Sequence, residues 1–269
     1  MDENIRYGQL WTFEEITLAL YLYCQIPFKK TVARNPPVQA LANHLGRTPA
    51  SVARKLGNLG ALDPSLAKRN ITGLVNMSKT DREVWDRYSS DWTALVDDAV
   101  KLWTGILEIT DLSHTPVALQ PEQLDLVLPT GPSQVVRLTN VRLHQAFFRR
   151  TVLASYDDSC CACGIDVPSL LTASHIVPWA KSDFLRTDPR NGLCLCALHD
   201  RAFDRGLLTV SEEGNLLASE LLHKFKSEAN HDYLLKFHGV PFRLPQRFAP
   251  NPDHLAWHRE NIFQRILPA

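Results

Sequence analysis

The chain has 269 residues and a formal net charge of zero, with 45% hydrophobic and 22% charged residues. This length suits one large or two modest domains, and the composition is that of an ordinary globular protein. No run approaches the roughly 18 apolar residues of a membrane span, and the first residues do not resemble a signal peptide. We therefore expect a cytoplasmic protein that does not contact membranes and whose affinity for any polyanion comes from local basic patches.

Residues 1–112 are predicted to form a helical domain that begins with an amphipathic helix. In the segment 11–26, apolar side chains recur at steps of three and four, with Thr12 as the N-cap and Glu15 completing a capping box. A second, longer amphipathic helix is predicted over 80–109, where tryptophan and leucine side chains recur at the same spacing, and the pattern leaves room for a kink near Trp92. We expect the apolar faces of these helices to share one core.

The segment between these two helices has the pattern of a helix-turn-helix. A helix over 37–45 stops at Gly46, and a new helix starts with Pro49 at its first position. Polar and basic side chains of the turn and of the second helix are expected to contact DNA phosphates and base edges. These candidate DNA-binding residues are Arg47, Ser51, Arg54, Lys55 and Asn58. The alternative is an ordinary pair of packed helices with a polar outer face, and residues 71–78 leave open a wing beside the pair.

A change in composition separates the helical domain from the rest of the chain. Residues 113–140 contain four prolines and almost no periodicity, which predicts a linker between domains. The domain that follows, over 141–269, begins with a helix whose basic flank includes Arg149, and it contains five of the six cysteines. Cysteines at C-x-x-C spacing in a cytoplasmic protein predict a metal site rather than a disulfide framework.

Two pairs of metal-ligating residues bracket the centre of this second domain. Cys160 and Cys163 are separated by two residues, and Cys196 and His199 repeat that gap further along the chain. Four such ligands suit a tetrahedral Zn²⁺ with every coordination position filled, which is the arrangement of a structural zinc site. Cys194 alternates with Cys196 on a predicted strand and is the main rival for a place among the ligands.

The sequence between the two pairs predicts a compact ββα unit. An apolar strand over 170–177 presents His175, and a return strand N-G-L-C-L-C starts at Asn191. A helix that begins A-L-H-D follows and ends at Gly206. A histidine base and one divalent cation are sufficient for phosphodiester hydrolysis, so the unit has the groups that a nuclease requires.

These residues resemble the HNH nuclease family, the ββα-metal endonucleases. The matching motifs are S-H-I at 174–176, N-G-L at 191–193, L-C-A-L-H-D-R-A-F-D at 195–204, F-R at 148–149, Y-x-x-x-C-x-x-C-G at 156–164 and A-W-H-R-E-N-I-F at 256–263. The resemblance implies an α+β fold, with a zinc-stapled ββα-metal nuclease domain following the mainly helical one. It also implies a metal-dependent DNA endonuclease similar to bacterial restriction and defence nucleases, some of which cut only modified DNA.

The resemblance assigns a role to individual residues. His175 is the general base that activates the attacking water, and Asn191 fixes the loop across the hairpin. Asp200 falls at the position of the catalytic cation, where a carboxylate suits Mg²⁺ or Mn²⁺. The family often has a second metal ligand directly before the base, but this sequence has Ser174 there, a weak ligand. Asp204, one helical turn after Asp200, either supplies the missing carboxylate or orients a ligand.

Several alternatives stay open at the level of sequence. Arg149 and Arg186 are candidates for holding a phosphate oxygen, and an ordinary surface charge is the alternative for each. A single ββα site cuts one strand, so a double-strand break implies a homodimer or two successive events. Two other functions compete with a DNA endonuclease, namely a non-catalytic zinc-containing DNA-binding regulator and a nuclease that acts on RNA.

Overall fold

The computed structural model describes residues 8–69, 77–107 and 132–264. The chain divides into two compact units, Met1–Thr151 and Val152–Ala269. The first unit is helical and the second combines helices with two small sheets, so the α+β fold class predicted from the sequence is confirmed. Among the residues described, no helix has the length and apolar content needed to cross a bilayer.

The first unit is built from helices alone in the described part of the chain. Most of the linker predicted over 113–140 and most of the wing considered over 71–78 lie outside the described residues. The described end of that linker, 132–140, is not extended but forms the start of a helix, so the helix predicted from residue 141 begins earlier. The long helix predicted over 80–109 is interrupted at Ser90 and Asp91, next to the position of the kink considered at Trp92, and so forms two helices. The helices are α1 (Phe13–Gln25), α2 (Pro36–Leu45), α3 (Pro49–Leu62), α4 (Pro64–Ala67), α5 (Lys79–Ser89), α6 (Trp92–Leu107) and α7 (Pro132–Ser155), within which the two units meet.

Capping residues define where these helices start and stop. The Thr12 hydroxyl accepts a hydrogen bond from the Glu15 amide at 3.3 Å, and the Glu15 carboxylate accepts one from the Thr12 amide at 2.9 Å. This is the capping box predicted for α1. Helix α2 ends at Gly46, whose φ of 62° is left-handed, and α3 starts with Thr48 as its N-cap and Pro49 in its first turn. The two helices and the glycine turn between them are therefore present as predicted.

Two buried ion pairs join α1 and α5 to this helix pair. Arg47 in the turn meets Glu15 of α1 at 2.7 Å, and Lys55 of α3 meets Asp81 of α5 at 2.6 Å. Both cations also lie over the ring of Trp11, at 4.4 and 5.2 Å from its centroid. Each acid is the third helical residue (N3) of its helix and forms a capping box with the N-cap residue. The same carboxylate therefore caps the start of its helix and neutralises a buried cation.

Burial contradicts three of the five DNA contacts predicted on the helix pair. Arg47, Lys55 and Asn58 are only 6%, 6% and 7% exposed, so their side chains belong to the interior. The physical reason is that α3 packs against α1, α2 and α5, which leaves it a narrow outer face. Arg54 is exposed and Ser51 is half-buried, so these two remain accessible to a ligand.

The second unit places a ββα arrangement directly after α7. Strands β1 and β2 are antiparallel, with Ser174 opposite Leu193 and His175 opposite Gly192. Strands β3 and β4 form a second antiparallel hairpin, whose turn contains Gly214. The elements are β1 (Leu171–His175), β2 (Gly192–Cys196), α8 (Ala197–Asp204), β3 (Leu208–Val210), β4 (Leu216–Ala218), α9 (Glu228–Tyr233) and α10 (Pro252–Asn261). The predicted order of strand, loop, strand and helix is confirmed.

Helix α8 is held in place by packing on one side and by a glycine at its end. Its inner face contributes to a small apolar core formed by Ala202, Leu208, Ala218, Leu222 and Leu234. Gly206 follows the helix with a φ of 68°, and a Cβ there would lie 2.0 Å from the carbonyl oxygen of Ile262. Only glycine fits this close approach, so the chain after α10 fixes the end of α8.

Candidate active site and metal centre

The four residues predicted as zinc ligands come together at one end of the ββα unit. The ligand atoms of Cys160, Cys163, Cys196 and His199 all lie within 4.8 Å of one another. Nδ1 of His199 lies 3.1 Å from the sulfur of Cys196 and 3.8 Å from that of Cys160, and the sulfurs of Cys163 and Cys196 are 3.9 Å apart. Zn–S bonds of about 2.3 Å and Zn–N bonds of about 2.0–2.1 Å place tetrahedral ligands roughly 3.5–3.8 Å apart. The cluster therefore fits a four-coordinate metal ion.

A backbone carbonyl decides which nitrogen of His199 faces the cysteines. Nε2 of His199 donates a hydrogen bond to the carbonyl of Tyr233 at 3.0 Å, which leaves Nδ1 as the nitrogen with a lone pair. The ring of Phe237 packs edge-on against the imidazole, with 5.1 Å between centroids. Sequence reasoning missed this partner, because a carbonyl can come from any residue type and carries no motif.

The remaining cysteines of the domain lie outside the cluster. Cys194, the rival ligand, is fully buried on β2, and its carbonyl accepts a hydrogen bond from the amide of Cys161 at 2.8 Å.

The turn after Cys160 is closed by Gly164, whose φ is 82° and whose amide donates to the Cys160 carbonyl at 2.9 Å. The left-handed φ of Gly164 would strain any other residue, and a Cβ there would also displace the guanidinium of Arg243.

His175 ends β1 in the orientation and protonation state of a base. Its Nε2 donates a hydrogen bond to the carbonyl of Arg186 at 3.1 Å, so Nδ1 is the nitrogen that accepts a proton. Trp179 packs against the imidazole at 89°, with 5.6 Å between centroids. Burial lowers the pKa of His175 although the Arg186 carbonyl opposes this, so the ring is neutral at pH 7 and able to take a proton.

Asn191 joins the two ends of the loop between β1 and β2. Its Oδ1 accepts a hydrogen bond from the Val177 amide at 2.9 Å, and its Nδ2 donates to the carbonyls of Val177 at 3.0 Å and Leu185 at 3.2 Å. Its own carbonyl accepts from the Ile176 amide at 2.9 Å. The side chain is fully buried. Asn191 thus fixes the backbone immediately after His175, which is the placement that the family resemblance implies.

Ser174, Asp200 and Asp204 form an oxygen-rich group between β1 and α8. The buried Ser174 hydroxyl lies beside the carboxyl of Asp200 and acts to lower its pKa, but desolvation is stronger and the pKa is raised. Desolvation also raises the pKa of Asp204, and the charge of Asp200 raises it further. Two carboxyls that repel each other in this way are the kind of ligand set that a divalent cation stabilises.

The two arginines proposed as phosphate contacts have different positions. Arg186 lies in the β1–β2 loop, where its guanidinium is 5.0 Å from the ring centroid of Trp179 and its Nε donates to the Trp179 carbonyl at 3.2 Å. It therefore belongs to the surroundings of His175. Arg149 is half-buried on the part of α7 that belongs to the first unit.

His258 is the histidine of the C-terminal motif A-W-H-R-E-N-I-F, and its contacts give it a structural role in α10. Its Nδ1 accepts from the Thr209 hydroxyl at 2.9 Å, its Nε2 donates to the Phe203 carbonyl at 3.2 Å, and its ring stacks on Phe203. Burial lowers the pKa of His258 to about 4. This histidine is a core group that ties α10 to β3 and α8, and it is not a ligand.

Comparison with known families supports the assignment of the second unit. Residues 160–211 match the family model described as HNH endonuclease. This span contains both pairs of candidate metal ligands, the β1–β2 hairpin and α8. A search of curated proteins found no match. Residues 160–211 of the second unit are therefore similar to HNH endonuclease domains, a class whose members are usually phosphodiester hydrolases.

Proposed function

We propose that the protein is a metal-dependent DNA endonuclease whose active site lies between β1, its following loop and α8. The observation that carries this proposal is the geometry of His175 and Ser174. His175 has the tautomer and the lowered pKa of a general base, and its neighbour Ser174 faces Asp200. A base and a candidate cation site therefore flank the same strand end, which is the arrangement that phosphodiester hydrolysis requires.

The chain's own residues account for most of the reaction. Nδ1 of His175 takes the proton of the attacking water, and the hydrogen bonds of Asn191 keep the loop and the imidazole in place. The guanidinium of Arg186 contacts a phosphate oxygen. Charge that develops on the phosphate is neutralised by Mg²⁺ or Mn²⁺ when the ion is bound at Asp200, with Asp204 as a second carboxylate and Ser174 as a weak ligand.

We assign the cluster of Cys160, Cys163, Cys196 and His199 to a structural Zn²⁺. Three thiolates and one imidazole fill a tetrahedral shell, so no position is left for water or substrate. The ligands lie before β1 and around the junction of β2 and α8, so the ion joins the two ends of the ββα unit. A Zn²⁺ held by these four residues would stabilise the fold, and Asp200 would hold the separate divalent cation that assists hydrolysis.

We assign DNA binding to the helical first unit, which comprises the predicted helical domain 1–112 and the residues that follow it up to Thr151 in α7, before the nuclease domain. The candidate contacts are the exposed Arg54, the half-buried Ser51 and Arg149. A separate DNA-binding domain beside an HNH domain favours a bacterial restriction or defence nuclease in the cytoplasm, acting as a monomer or a homodimer. Dependence on modified DNA follows from the same architecture, and equal cleavage of methylated and unmethylated plasmid would contradict it.

The test of the activity is a cleavage assay with matched histidine variants. Wild type, His175→Ala and His231→Ala are incubated with plasmid, linear DNA and RNA in the presence of Mg²⁺, Mn²⁺ or EDTA. We expect metal-dependent DNA cleavage that falls by about 10²–10⁴-fold in His175→Ala, as is usual for loss of a general base. His231 is exposed on α9, so its variant should cleave like wild type.

Each alternative function has its own outcome in this assay. Equal cleavage by His175→Ala and wild type would reject the proposed mechanism. Cleavage of RNA without cleavage of DNA would favour a ribonuclease with the same active site. DNA binding without any metal-dependent cleavage would favour a zinc-containing regulator.

A further inference from the structure

The loop between β1 and β2 carries an exposed aromatic side chain next to the proposed active site. Phe184 lies in a short 3-10 helix, Asp183–Leu185, and is 76% exposed. A phenylalanine kept in water forgoes the favourable free energy of burying its ring. Single exposed apolar residues are common on protein surfaces, so exposure alone does not indicate a function.

The position of Phe184 relative to the active site is fixed by its neighbours. The carbonyl of Leu185 accepts a hydrogen bond from Asn191 at 3.2 Å, and the carbonyl of Arg186 accepts one from His175 at 3.1 Å. The two residues that follow Phe184 are therefore bonded to the two side chains that shape the catalytic loop. This anchoring fixes the backbone on the C-terminal side of Phe184 next to His175 and Asn191, so the exposed ring belongs to the loop that borders the proposed active site.

We propose that Phe184 stacks on a nucleobase next to the scissile phosphate and so positions DNA for cleavage, an inference that rests on the proposed nuclease function. A nucleobase presents an apolar π face, and stacking on an aromatic side chain stabilises a complex by about 1–3 kcal/mol per base. Exposed phenylalanines also insert between base steps of duplex DNA. Arg186, two residues further on, supplies the positive charge that a neighbouring phosphate requires.

The experiment compares kcat/KM for plasmid and single-stranded DNA among Phe184→Ala, Phe184→Trp and the matched control Phe225→Ala. Phe225 is 62% exposed and lies outside the loop. We expect Phe184→Ala to lower kcat/KM by about 5- to 150-fold, which corresponds to one lost stacking contact. Phe184→Trp keeps an aromatic ring and should retain cleavage, and Phe225→Ala should have the kcat/KM of wild type. If Phe184→Ala lowers kcat/KM for both substrates, the ring stacks on an unpaired base. If it lowers kcat/KM for plasmid alone, the ring inserts between base pairs. Both results support the proposal.

Further measurements separate stacking from a structural role and from failure of the proposed function. Stacking releases no counterions, so Phe184→Ala should leave the slope of log(kcat/KM) against log salt unchanged, with an unchanged melting temperature and zinc content. The inference would be overturned if Phe184→Ala cleaved DNA as fast as wild type, or if Phe184→Trp were as slow as Phe184→Ala. Either result would leave the nuclease function in place. Absence of DNA cleavage by wild type would instead reject the function on which the inference rests.

Discussion

The two units of this protein use charged and metal-ligating side chains in opposite ways. In the first unit, Arg47 and Lys55 are buried, and each is neutralised by one acid at a helix start. In the second unit, three cysteines and a histidine converge in one cluster. Burial raises the pKa values of two carboxyls on α8, those of Asp200 and Asp204. Charges that neutralise one another hold helices together, whereas converging metal-ligating groups form a candidate metal site. The predictions below test this difference.

The largest effect is expected from removing one ligand of the cysteine cluster. Cys163→Ser should reduce bound zinc from about one ion per chain to near zero and abolish the folding of the second unit, because structural zinc supplies about 10–16 kcal/mol in small zinc domains. Elemental analysis and circular dichroism measure both effects. Cys194→Ala is the control, since Cys194 is buried outside the cluster. Zinc retained by Cys163→Ser but lost from Cys194→Ala would show that the ligand set is different.

The next effect concerns the buried ion pairs of the first unit. Arg47→Ala leaves Glu15 buried without its cation, which should lower the free energy of unfolding by about 3–5 kcal/mol. Urea denaturation measures this loss. Arg54→Ala, in the same helix pair but exposed, should change it by no more than about 0.5 kcal/mol. A similar cost for the two variants would mean that Arg47 is not the structural cation described above.

A smaller effect is expected from pH at the core of the second unit. The folded pKa of His258 is about 4, below the value of 6.5 for an unperturbed histidine, so the unfolded state binds the proton more readily. Its contribution to stability is therefore complete above pH 6.5 and is lost as pH falls towards 4, to a limit of about 3 kcal/mol. In His258→Gln, unfolding free energies measured at fixed zinc should fall less steeply over this range. Parallel pH curves for variant and wild type would contradict the assignment.

The smallest effect is expected at the remaining candidate DNA contact of the helix pair. Arg54→Ala should weaken DNA binding at low salt for every sequence and reduce the slope of log affinity against log salt by about 1. Fluorescence anisotropy with labelled duplex at several salt concentrations measures both quantities. Unchanged affinity and slope would remove Arg54 from the DNA-binding surface and leave the helix pair with a packing role.

The difference between the units also explains what could be predicted from the sequence. The zinc ligands and the strand-loop-strand-helix order were predictable, because fixed spacings of cysteine, histidine and Asn-Gly encode a local geometry. The burial of Lys55 was not predictable, because helical periodicity shows which residues share a face but not whether α5 covers it. The Tyr233 carbonyl behind His199 was also beyond prediction, since a distant backbone group leaves no signal in residue type.

We propose above that the second unit has two metal sites with separate duties. The direct test measures zinc content and Mg²⁺-dependent plasmid cleavage in the same preparations of wild type, Asp200→Ala and the control Asp166→Ala, whose aspartate is exposed and precedes β1. We predict that Asp200→Ala keeps about one zinc per chain while its cleavage rate falls by about 10²-fold or more, and that Asp166→Ala retains both. Loss of zinc together with activity in Asp200→Ala, or full activity in that variant, would contradict the division between the two sites.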